Sequence, residues 1–139
     1  MYQTSQMSNR STAWVRQMLH DKQPFFAWIG PHAPHYPADP APWHQGAFAG
    51  KQAPRTPAFG AAAPDHHRMV AQEPPIDARC ADCVDQQFRD RWASLLSVDA
   101  MVGALIDTLE QASTLEHTYM IYSSDRPSSI LCLFHPALC

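Results

Sequence analysis

Ten of the thirteen prolines fall between Pro31 and Pro75, among scattered Ala, Gly and His residues that follow neither a helical nor a strand period. Proline fixes φ and has no amide hydrogen to donate, so the stretch predicts a long loop or excursion rather than helix or ladder. Loops of that length inside a compact domain are usually functional or disordered. The core must therefore come from the two flanking segments.

Upstream, Trp14, Val15, Met18 and Leu19 share one side of a helix predicted over Ser8–Leu19, with Ser8 or Asn9 as its cap. Asn9-Arg10-Ser11 also has the form of an N-glycosylation acceptor, which matters only in a secreted protein. The run Phe25–Ile29 is short, continuous and aromatic, and predicts a strand buried on both faces. Downstream, Phe88, Trp92, Leu95, Leu96, Val102, Leu105, Ile106 and Leu109 recur at three- and four-residue spacings, predicting a helix over Asp85–Gln111. Asp99 falls within that apolar stripe, where it needs a partner or an edge position that reaches water. A second buried strand is predicted over His117–Asp125. Strand, crossover helix and strand make a right-handed parallel βαβ unit, so the expected class is α/β.

The formal charge of −3, with no Lys/Arg run or basic stripe, argues against nucleic acid and anionic membranes as partners. No membrane span is expected, and the start Met1–Arg10 lacks the charged-then-apolar pattern of a signal peptide. Cys80 and Cys83 form one pair and Cys132 and Cys139 another. Neither pair belongs to a well-formed zinc or redox signature, so unpaired loop and tail thiols are the favoured reading and a four-cysteine zinc module a minor one.

Ligands of open α/β sheets bind beyond the carboxyl ends of the strands. Two chemistry-bearing residues are expected there. His35 follows the first strand, on a loop stiffened by Pro31, Pro34 and Pro37, and Asp125 ends the second. His32 shares the loop with His35.

Two blocks carry a resemblance: Pro24–Pro37, "PFFAWIGPHAPHYP", and Phe88–Asp125, "FRDRWASLLSVDAMVGALIDTLEQASTLEHTYMIYSSD". They resemble the sulfatases of the alkaline-phosphatase-like superfamily, most closely the branch of N-acetylglucosamine-6-sulfatases and arylsulfatases. The resemblance implies a partial alkaline-phosphatase-like fold, a parallel βαβ core with a long Pro-rich loop, over residues 1–125. It implies hydrolysis of sulfate esters, with a sulfated small molecule or glycan as partner. It further implies that His35 contacts the sulfate, that Asp125 ligates Ca²⁺, and that the setting is secretory, lysosomal or extracellular. His32 has no assured counterpart.

The departures are as informative. The family's formylglycine nucleophile arises from a Cys/Ser-x-Pro-x-Arg motif that this chain does not contain, and the paired upstream aspartates of the calcium site are absent. After Asp125 come Arg126 and Pro127 where the family has Asn or His and then Gly, and residues 126–139 resemble nothing in it. The expectation is an internal piece of a sulfatase domain with a non-homologous tail, inactive alone. One alternative is a phosphatase or phosphodiesterase of the same superfamily. A non-enzymatic alternative is a catalytically dead fragment that binds sulfated glycan or a protein partner through histidines such as His66 and His67 beside Asp65.

Overall fold

The computed structural model describes residues 2–71 and 75–124. Helix α1 spans Gln3–His20, α2 is a single turn at Arg68–Ala71, and α3 runs 34 residues over Ala78–Gln111. Short 3₁₀ turns lie at Pro42–His44 and Leu115–His117.

α1 and α3 pack on one another. Val15 of α1 meets Val98, Met101, Leu105 and Leu109 of α3, all at most 8% exposed, and Met7, Leu19, Leu95, Val102 and Leu115 pack around them. Thr4, Thr12, Ser94, Ser97 and Thr108 are also buried on these two helices. The Ser94 and Thr108 hydroxyls donate to the carbonyls of Arg91 and Ala104, whereas Thr12 Oγ1 and Ser97 Oγ are buried without a hydrogen-bond partner among the described residues.

Both helices begin earlier than the apolar pattern predicts. α1 opens from Tyr2 with no side-chain cap, so Ser8 and Asn9 are interior residues and not caps. The Ser11 hydroxyl accordingly donates back to the Met7 and Ser8 carbonyls, at 2.8 and 3.1 Å. α3 starts at Asp77, whose carboxylate accepts the Cys80 amide at 2.7 Å, a regular N-cap. Both helices end in the same way: Lys22 (φ 52°) and Ser113 (φ 53°) adopt the left-handed conformation, and Gln23 and Thr114 amides reach back to Met18 and Leu109 carbonyls. This Schellman geometry satisfies last-turn carbonyls without glycine, and Pro24 follows the first instance directly.

The parallel βαβ core is not formed: among the described residues there is no strand and no sheet. Phe25–Ile29 is extended but unpaired. Phe25 and Ile29 pack against the helix pair, while Phe26 and Trp28 are 84% and 88% exposed. The run is thus half-buried, and only at Phe25 and Ile29. The described part of the second predicted strand is likewise unpaired, with Tyr119, Ile121 and Tyr122 exposed. A run of this kind joins a sheet only through a neighbouring strand, and the described residues contain no strand.

One further expectation is settled by position. Asp99 is exposed at the edge of the stripe and needs no buried partner. α3 is long and apolar enough, by length and composition alone, to cross a bilayer, but its stripe is turned onto α1.

Over residues 31–71 the proline-rich excursion is a strap laid over the helices. The Tyr2 hydroxyl donates to the Asp39 carbonyl at 3.0 Å, and its ring meets Trp43 edge-on. Phe48 packs on Trp92, and Arg89 donates to the Lys51 carbonyl at 3.0 Å. At Gly60 (φ +67°) an added Cβ would stand 3.0 Å from Ile76 Cβ, so only glycine suits both the backbone and the gap.

Candidate functional site

His35 lies at the surface just beyond Phe25–Ile29, and the sheet edge on which it was expected is not formed. Its amide donates to the His32 carbonyl at 2.8 Å, closing a tight turn, and the Ala33–Pro34 and Tyr36–Pro37 bonds are both cis. This turn brings the two imidazoles together, with ring centroids 4.9 Å apart. Both rings are exposed.

The His35 ring is oriented by one contact. Nδ1 lies 2.7 Å from the Tyr36 carbonyl oxygen, which can only accept, so Nδ1 carries the hydrogen. Nε2 is left for an incoming group. In the neutral ring it presents a lone pair, and only the imidazolium presents a second donor. An anion is therefore served by the charged form alone while the Tyr36 contact holds.

Asp125 lies outside the described residues, so its predicted meeting with His35 has no geometry to report, and the same holds for the 126–139 tail with Cys132 and Cys139. Cys80 and Cys83 sit in the first two turns of α3 and are partly buried. Among the described residues no three His, Cys, Asp or Glu side chains converge as a metal site. His66 bonds Asp65 at 3.1 Å on an exposed loop, and that contact holds the Asp65 carboxyl below its ordinary range.

The strongest electrostatic feature was not anticipated. Asp85, in the second turn of α3, is 4% exposed. Its carboxylate accepts the Ala53 amide at 2.9 Å and Arg55 Nη2 at 2.7 Å. Burial pushes the carboxyl up, but the Ala53 amide, the Arg55 guanidinium and the nearby Arg89 together outweigh it and hold Asp85 below the carboxylate range. Arg55 also lies over the Phe59 ring, 4.1 Å from its centroid, and donates to the Ala53 carbonyl. The set fixes the strap to α3. No local rule could find it, because partners 30 and 32 residues away are joined only by the fold.

A cavity of about 160 Å³ opens where the start of α1 meets the 3₁₀ turn and α3, lined by Ser5, Ser8, Asn9, Trp43, His44 and Ser97. It is small, and Ala100 and Met101 complete a lining that is as apolar as it is polar.

Comparison with known proteins supplies the context for these residues. The family model described as Sulfatase matches residues 1–131. The chain is 35% identical to an N-acetylglucosamine-6-sulfatase of Capra hircus over 89% of its own length and 22% of the relative's. It is 38% identical to that of Homo sapiens, over 74% of this chain and 19% of the relative. An extracellular sulfatase SULF-1 homolog of Drosophila melanogaster is 26% identical over 89% of the chain and 11% of its own length. The chain thus spans about a fifth of the N-acetylglucosamine-6-sulfatases it matches. No solved structure matches it. With the family model covering nearly the whole sequence, and with relatives above 30% identity that match most of it, this chain belongs to the sulfatase family.

Proposed function

We propose that this chain is part of an enzyme that hydrolyses sulfate esters, the alcohol being a sugar or glycan. The observation that carries the reading is the sulfatase match over residues 1–131. Similarity to proteins named for N-acetylglucosamine 6-sulfate supports the choice of a sugar sulfate. A secretory route is part of the proposal, supported by similarity to a relative named as extracellular.

His35 is the proposed sulfate contact. Its Nδ1–H is held by the Tyr36 carbonyl, so the imidazolium Nε2–H donates to a sulfate oxygen and its charge offsets the anion. His32, 4.9 Å away between ring centroids, adds a second imidazole to the same surface.

Asp125 is the proposed calcium ligand, since a hard dication is matched by carboxylate oxygen. The described residues do not form a calcium site, and no step is routed through the ion. The family's formylglycine has no precursor motif in this chain, so the nucleophile is assigned to another part of the full protein. What these residues do is bind and orient the sulfate.

The test is turnover of an aryl sulfate and of N-acetylglucosamine 6-sulfate by the full-length protein, with His35→Ala alongside. We expect sulfate release that falls about 10²–10³-fold in the variant, the scale for losing one preorganised donor to a reacting anion. Cleavage of phosphate esters with no sulfate release would overturn the reading.

A further inference from the structure

Asn9 is the only asparagine in the chain, and it stands in Asn9-Arg10-Ser11, an acceptor sequence with no proline at the middle position. So short a motif recurs by chance, and its place in the fold has to decide. α1 turns Thr12 and Val15 into the core and leaves Asn9 and Arg10 in solvent. The Asn9 side chain forms no hydrogen bond among the described residues, so nothing in the folded helix competes for its amide.

The surroundings of Asn9 suit a sugar. It stands on the lip of the 160 Å³ cavity beside Ser5, Ser8 and His44, with the Trp43 indole 64% exposed. An exposed indole offers a flat apolar face to the C–H side of a pyranose, and the serine hydroxyls and imidazole offer partners to its polar edge.

We infer that Asn9 is an N-glycosylation site whose first N-acetylglucosamine settles over Trp43 and His44. The inference rests on the secretory route proposed above and not on sulfate hydrolysis. In the reaction the Asn9 amide nitrogen attacks the anomeric carbon of a polyprenyl-diphosphate-linked oligosaccharide. The N–C bond forms, the C–O bond to the diphosphate breaks, and the diphosphate leaves with the electron pair while the amide proton passes to a base. Transfer precedes folding, because in the finished helix the Ser11 hydroxyl is turned onto the Met7 and Ser8 carbonyls.

The experiment expresses the full-length gene product in eukaryotic cells with no foreign targeting sequence added, treats it with peptide-N-glycosidase in heavy-oxygen water, and reads the Asn9 peptide by mass spectrometry. Conversion of Asn9 to labelled aspartate is expected. It should be lost in Asn9→Gln and Ser11→Ala and kept in Ser11→Thr. Gln111→Asn supplies the control, since it creates an acceptor with Ala112 and Ser113 at the exposed end of α3. If that site is modified and Asn9 is not, the inference is overturned while the secretory reading stands; if neither is modified, both fall. Hydroxyl-radical labelling of Trp43 should increase after the glycan is removed, and unchanged labelling would overturn the proposed seat on Trp43.

Discussion

Apolar residues on two kinds of backbone meet opposite fates in this molecule. The α3 stripe of Val98, Met101, Leu105 and Leu109 is buried to within 8% exposure, while Phe26 and Trp28 in the first extended run, and Tyr119 and Ile121 in the second, stand at 84–98%. The difference lies in the backbone. A helix satisfies its own amides and needs only one apolar surface to dock on, which α1 provides. An extended run must pair its amides with a neighbouring strand to join a sheet, and the described residues contain no strand.

The sharpest way to break this comparison is to truncate both sets. Leu109→Ala should cost about 2–5 kcal/mol of stability, the usual range for emptying a packed site, whereas Trp28→Ser should stay within about 0.5 kcal/mol. Chemical denaturation of both variants checks this. A large loss at Trp28 would mean that it is covered.

The strap supplies the next test. Asp85→Ala leaves the Ala53 amide and the Arg55 guanidinium without their carboxylate, and residues 51–60 should become the first site of limited proteolysis. Since the folded Asp85 carboxyl lies below its unfolded value, its contribution is complete above about pH 4. That contribution fades as pH falls through the lower folded value. Acid titration of the Asp85→Ala protein should therefore lack part of the acid destabilisation seen in the parent, and identical acid profiles would count against the clamp.

Smaller effects sharpen the picture. Gly60→Ala should destabilise by more than about 1 kcal/mol, because φ is +67° and the new Cβ meets Ile76. Ser97→Ala should stabilise by on the order of 1 kcal/mol by removing a buried hydroxyl without a partner. Thermal melts of each variant report both signs.

What the sequence made legible follows the range of the interactions. The α3 stripe is a local pattern and was readable. The Asp77 cap was equally local, but it precedes the stripe by about three turns and was passed over in favour of the apolar residues. The α1 start carries no capping side chain and left no signal. The Asp85 clamp and the His32–His35 contact depend on how the strap folds back, which spacing alone does not encode. The strands were misread because an apolar run states that a face wants burial and says nothing of which neighbour completes the ladder.

Amide hydrogen exchange across the chain tests the central contrast most directly. Slow exchange over residues 98–109 together with fast exchange over 25–29 and 119–122 is the predicted result. Matched protection of 25–29 and 119–122 would contradict it, because those amides could be protected together only by forming the ladder that is absent among the described residues.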